Sequence, residues 1–137
     1  MADIMHLVAI RAAPNEVFDA LATPEGVRNW WTRDADLDAR VGGISKFRFY
    51  DGSKVTKVET VELVLDKRVV WKVLDSFRSE WKATTIEFNL NADGGSTALR
   101  FAHRGFPRPD DDYAICTTGW GTYLAGLKAY LEGAGTR

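Results

Sequence analysis

The chain has 137 residues, of which 45% are hydrophobic and 27% charged, so it fits one globular domain, residues 1–137, and is not a disordered chain. A net charge of −1, from 18 basic and 19 acidic residues without any basic run, excludes the electrostatic footprint of a nucleic-acid binder. The single cysteine, Cys116, excludes an intrachain disulfide, and no metal-ligand spacing is present, so neither a metal nor another cofactor is expected.

Residues 4–11 alternate His6, Val8 and Ile10 with Leu7, Ala9 and Arg11, which predicts a half-buried strand. Pro14 suits the first position of a helix, and Val17, Phe18, Leu21 and Ala22 follow at helical spacing. Thr23 then serves as the N-cap of a second short helix, with Pro24 at its start and Val27 and Trp30 on its apolar side. A polar stretch runs from Trp31 to Arg40. From Gly42-Gly43 onwards the period becomes two. Phe47 and Phe49 share one face of 44–50 with Arg48 and Tyr50 on the other, and Asp51-Gly52 reads as a two-residue hairpin turn. A Val/Thr-rich strand covers about 54–63, and its mixed composition leaves open whether Glu59 or Glu62 points inward. Residues 69–75 put Val69, Trp71 and Val73 on one face, and 82–90 put Thr84, Ile86, Phe88 and Leu90 there. Past the Asp93-Gly94-Gly95 turn, 97–103 does the same with Thr97, Leu99, Phe101 and His103. Pro107 and Pro109 end the last strand. Tyr113, Cys116, Trp120, Leu124, Leu127 and Leu131 then recur at steps of three and four, predicting a helix over about 112–132. Such a helix is ~31 Å long and crosses nearly the whole of a domain whose radius of gyration is ~14 Å.

The expected architecture is therefore α+β. A curved antiparallel sheet of about six strands wraps a long C-terminal helix, and two short helices follow strand 1. A concave sheet and a cylinder fit imperfectly, so the space between them is the expected place for a cavity.

Four stretches carry a family resemblance: Ala13-Pro14-Asn15-Glu16-Val17-Phe18-Asp19-Ala20-Leu21; Trp30-Trp31 with Gly42-Gly43; Glu62-Leu63 through Val69-Val70-Trp71; and His103-Arg104-Gly105-Phe106-Pro107 leading to Gly119-Trp120 and Leu124, Leu127 and Leu131. Taken in this order they resemble the helix-grip fold of the START/Bet-v-1-like (SRPBCC) superfamily. Within it the chain looks like the activator of heat-shock protein 90 ATPase homologue-like family. The resemblance implies one of three roles: a holder of hydrophobic ligands, an aromatase/cyclase-type enzyme, or a chaperone partner. The separate N-terminal region of the eukaryotic co-chaperones has no counterpart here, which places the chaperone role last.

Aromatic residues make up 12% of the chain, with five tryptophans. Trp30, Phe47, Phe49, Trp71, Phe88, Phe101 and Trp120 all fall on inward faces, either as core or as the wall of an apolar ligand cavity. Trp31 and Trp81 stand at segment ends, which suits a cavity mouth or the surface. His103 is the inward polar residue, and the pairing of first and last strands brings His6 towards it, so the two are the candidate acid and base. Arg48 is expected to point outward. Cys116, on the first turn of the long helix, has a thiol pKa lowered by the dipole but the character of a small buried hydrophobe. Gly119, Gly121 and Gly126 interrupt that helix, to admit the sheet or to leave room beside Trp120. The first expectation is thus a carrier or sensor of an apolar small molecule, not an enzyme, in the cytoplasm, with no signal sequence or membrane span.

Overall fold

A computed structural model describes residues 1–133. Strand β1 (Ala2–Ile10) leads into helices α1 (Pro14–Ala22) and α2 (Pro24–Trp30), and a long helix α3 (Asp111–Gly133) closes the chain. Between them lie β2 (Asp34–Asp36), β3 (Ile44–Phe49), β4 (Lys54–Val64), β5 (Arg68–Ser76), β6 (Thr85–Asp93) and β7 (Ser96–Phe106). They form one antiparallel sheet in the order β1-β7-β6-β5-β4-β3-β2, with α3 against its concave face. Among the described residues no helix is long and apolar enough to cross a membrane.

Local chemistry explains the two short helices. Glu16 reaches back to accept from the Ala13 N–H at 3.0 Å, capping α1. The Thr23 hydroxyl accepts from the Gly26 N–H at 3.0 Å and donates to the Asp19 carbonyl at 2.7 Å, tying the end of α1 to the start of α2. The helices meet backbone to backbone at Gly26, where a Cβ would lie 2.5 Å from Ala20 Cα.

The strand faces follow the alternation of the sequence, with three corrections. Residues 34–36 lie in the stretch read as polar loop, yet they make a seventh, edge strand. Ala35 is buried there while Asp34 and Asp36 hold the outward Arg48 at 2.9 and 2.7 Å. The β3–β4 loop is not a two-residue Asp51-Gly52 turn. It spans residues 50–53, with left-handed φ at Tyr50 and Asp51 ahead of Gly52. In β4, Thr56, Val58 and Thr60 face inward, so Glu59 and Glu62 both point away from the core, and Glu62 pairs with Arg68 at 2.9 Å.

Across the convex face runs a row of alternating charge. Asp3 meets Arg104 at 3.1 Å, Arg104 meets Glu87 at 3.0 Å, Glu87 meets Arg68 at 3.7 Å, and Arg68 reaches Glu62. It ties five neighbouring strands, β1, β7, β6, β5 and β4. On the other face, α3 runs alongside β1: Tyr113 donates to the Asp3 carbonyl at 2.7 Å near one end and Glu132 accepts from the Arg11 N–H at 2.7 Å near the other.

Candidate functional site

Rings fill the space between sheet and helix. Trp31 is their hub. It stacks on Trp30 and Trp71, with centroids 5.9 Å away in each case, and tilts against Phe47 at 4.4 Å and Trp120 at 5.3 Å. Trp120 in turn meets Phe101 at 4.5 Å and stacks on Trp81 at 5.8 Å. Each such pair contributes about 0.5–1.5 kcal/mol beyond the area it buries. Trp31 and Trp81, which stand at segment ends in the sequence, are only 6% and 8% exposed.

His103 is wholly buried in this assembly. The Trp120 indole Nε1–H donates to its Nδ1 at 3.0 Å. An indole has no acceptor, so Nδ1 carries no proton and Nε2–H donates to Thr84 Oγ1 at 2.8 Å. The Thr84 hydroxyl in turn donates a hydrogen bond to the Trp81 carbonyl. Both ring nitrogens are therefore engaged, and burial holds the imidazole neutral by pulling its pKa down to about 3. The pairing of β1 with β7 is as expected, but its register sets Ile4 opposite His103 and His6 opposite Phe101. His6 bonds the Thr117 carbonyl with its Nε2 at 3.2 Å, and no hydrogen bond joins the two histidines.

The packing leaves a gap on the concave side. A pocket of about 130 Å³ opens where α3 passes the β3–β4 loop and the β5–β6 connection. Trp31, Trp81 and Trp120 wall it, Phe49, Phe77, Cys116 and Tyr123 add to the lining, and Gly119 faces it from mid-helix. A Cβ on Gly119 would meet nothing within 4 Å. Tyr50, Ile115 and Arg78 stand at the mouth, Tyr50 being 71% exposed despite its left-handed backbone.

Of the ring residues read from the sequence as cavity wall, Phe49 and Trp120 border this pocket. Trp30, Phe47, Trp71, Phe88, Phe101 and His103 lie instead in the packed interior, where Trp31 packs on the first three and Trp120 on the last two. Gly119, Phe77, Arg78 and Tyr123 join the site without having been singled out as lining, although a helix glycine next to Trp120 was a signal of room there. Cys116 lies on the second turn of α3, not the first. Burial pushes its thiol pKa up rather than down, and the Trp81 Nε1–H donates to its sulfur at 3.2 Å.

A second, larger depression of about 740 Å³ lies at the opposite end of the sheet, open to solvent between Pro14, the β4–β5 turn and the end of β6. Of its two cations, Lys67 and Arg68, the second is already bonded to Glu62 and Asn89.

Residues 11–132 match the family model described as Activator of Hsp90 ATPase homolog 1-like protein. The chain belongs to this family. A solution structure of the Aha1 dimer from Colwellia psychrerythraea is 34% identical, covering 96% of this chain and 97% of that one with a TM-score of 0.86. MLL2253 from Mesorhizobium loti shares the fold at 20% identity, with coverage of 96% and 97% and a TM-score of 0.84. DynU16, from the dynemicin biosynthetic locus, shares it at 21% identity and a TM-score of 0.79, over 95% of this chain and 47% of that one. No curated protein matches the chain. The AHSA1-like membership accords with the helix-grip architecture described above, a sheet curved around the last helix.

Proposed function

We propose that the protein binds an apolar small molecule as a carrier or sensor, taking one aromatic ring into the pocket between Trp31, Trp81 and Trp120. The supporting observation is the open space beside Gly119 in an interior where the other rings are in contact. A dry apolar cavity of ~150 Å³ accepts a benzene ring, so 130 Å³ suits a ring and not a folded acyl chain. The remainder of a larger ligand would lie across the mouth on Tyr50, Phe77 and Ile115. Burying ~150 Å² of ring contributes about 4 kcal/mol. That corresponds to a Kd near ~1 mM for a bare ring.

An enzyme reading has less support, since no histidine or carboxylate lines the pocket and burial raises both the Cys116 and Tyr123 pKa values. A chaperone-partner role draws on the family description and on the apolar rim of Tyr50, Phe77 and Ile115. Its expected signature is stimulation of a chaperone ATPase that Phe77→Ser abolishes.

The ligand reading is tested by NMR titration with benzamide, following the indole N–H signals of Trp31, Trp81 and Trp120. The wild type is expected to saturate in the millimolar range. Gly119→Phe, whose side chain enters the space, should weaken binding at least tenfold while its dispersed spectrum reports an intact fold. Absence of saturable shifts in the wild type, or equal binding by the variant, overturns the proposal.

A further inference from the structure

Arg78 is the cation among the residues lining the pocket. Its position is set on two sides. The backbone N–H donates to Ser76 Oγ at 3.1 Å, and the guanidinium carbon lies over the Phe77 ring, 5.4 Å from its centroid. A guanidinium placed on a ring face keeps its N–H edge available for a planar anion. Other arginines of the chain have used that edge already: Arg48, Arg68, Arg104 and Arg108 each meet a carboxylate at 3.1 Å or less. Arg78 has no carboxylate within 4 Å among the described residues. Glu80 lies beside Asp112 and raises its pKa, and neither acid lines the pocket. The Arg78 charge is felt at Cys116 and Tyr123 on the pocket wall, and at Asp112 as well.

We infer that the ligand is an aromatic carboxylate, its ring between Trp31, Trp81 and Trp120 and its acid group on the guanidinium of Arg78. This rests on the ring pocket proposed above and adds the polar group that the pocket selects. The geometry suits an acid attached directly to the ring, or one short link away, because Arg78 and the three tryptophans line a single small cavity. Tyr123 also lines it, half-buried, and with its pKa raised by burial its hydroxyl stays protonated and able to donate to the same carboxylate. A ring without the acid leaves that edge of Arg78 to water. An acid without the ring gains only a screened surface contact.

Benzoate and benzamide have nearly the same shape and differ in charge, so they separate the two layers of the proposal. Both are titrated into the wild type and into Arg78→Gln at low ionic strength, with the indole N–H signals as readout. Benzoate is expected to bind the wild type about tenfold more tightly than benzamide, a ratio worth about 1.4 kcal/mol. Arg78→Gln should remove that preference, weakening benzoate about tenfold and benzamide far less. Added salt should reduce the benzoate preference in the wild type and have no effect on benzamide. Equal binding of the two by the wild type, or a preference that survives in Arg78→Gln, overturns the carboxylate inference while the ring pocket stands. If neither compound shifts the indole signals, the ring pocket fails and the carboxylate inference with it.

Discussion

Acidification perturbs His103 before it perturbs most of the chain, because only the neutral imidazole fits between Trp120 and Thr84. In the unfolded chain a histidine takes up its proton near pH 6.5, whereas in the folded protein burial delays this to about pH 3. Between those values the unfolded state binds a proton that the folded state refuses. Stability from this residue is therefore complete above about pH 6.5 and is lost as the pH falls towards 3. Each pH unit in the window removes up to about 1.4 kcal/mol, so moving from pH 7.5 to 4.5 costs about 2.5–3 kcal/mol. That is a large share of the 5–15 kcal/mol typical of a domain. The assay is urea unfolding at a series of pH values for the wild type and for His103→Gln. A glutamine can accept from Trp120 and donate to Thr84 but does not titrate. Carboxylate effects are common to both proteins and cancel in the difference. The stability advantage of the wild type should shrink by about 2.5–3 kcal/mol across that range. A difference that stays constant with pH would refute the buried, neutral state of His103.

The junction of the two short helices should not tolerate a side chain on its glycine: Gly26→Ala forces a Cβ against the Ala20 backbone at 2.5 Å and should cost about 2–3 kcal/mol in chemical denaturation. A cost below the noise would mean that α1 and α2 can separate freely. On the convex face, Glu87 has a side chain only 14% exposed and joins Arg104 to Arg68. Glu87→Gln should lower stability by about 1 kcal/mol in dilute buffer and by less in 1 M salt, as expected of a screened ion-pair row. A salt-independent loss would point to packing instead of charge.

The fold was legible because its longest elements obey one period each. β6 and β7 carry Ile86, Phe88, Leu90 and Leu99, Phe101, His103 on the inward face in unbroken alternation, and the stripe from Cys116 to Leu127 marks the buried side of α3. Thr23 and Pro24 set the α1–α2 boundary by local capping alone. β2 was missed because three residues are too few for a periodic signal, and its pairing depends on Arg48, twelve or more positions away. The β3–β4 loop was misplaced for a related reason. Asp51-Gly52 has turn chemistry, but the loop settles with Tyr50 in a left-handed conformation that bulky residues disfavour and that no local propensity predicts.

The site was less legible than the fold, and the reason lies in what periodicity measures. Alternation identifies residues with neighbours on the core side, and such residues pack against one another. Trp30, Phe47, Trp71, Phe88 and Phe101 do so in the packed interior. A pocket needs positions where the regular pattern stops. Trp31 sits at the C-cap of α2, while Phe77, Arg78 and Trp81 belong to the irregular β5–β6 connection. The helix glycines show the same division. A Cβ on Gly121 would lie 3.6 Å from His6 and one on Gly126 3.7 Å from the Trp30 carbonyl oxygen, ordinary contact distances, so neighbours already occupy the space beside both. A Cβ on Gly119 would meet nothing within 4 Å, and each of the three glycines costs the helix roughly 1 kcal/mol. The open space beside the third, next to Trp120, is why the ring pocket, and not the buried His103, carries the proposed function.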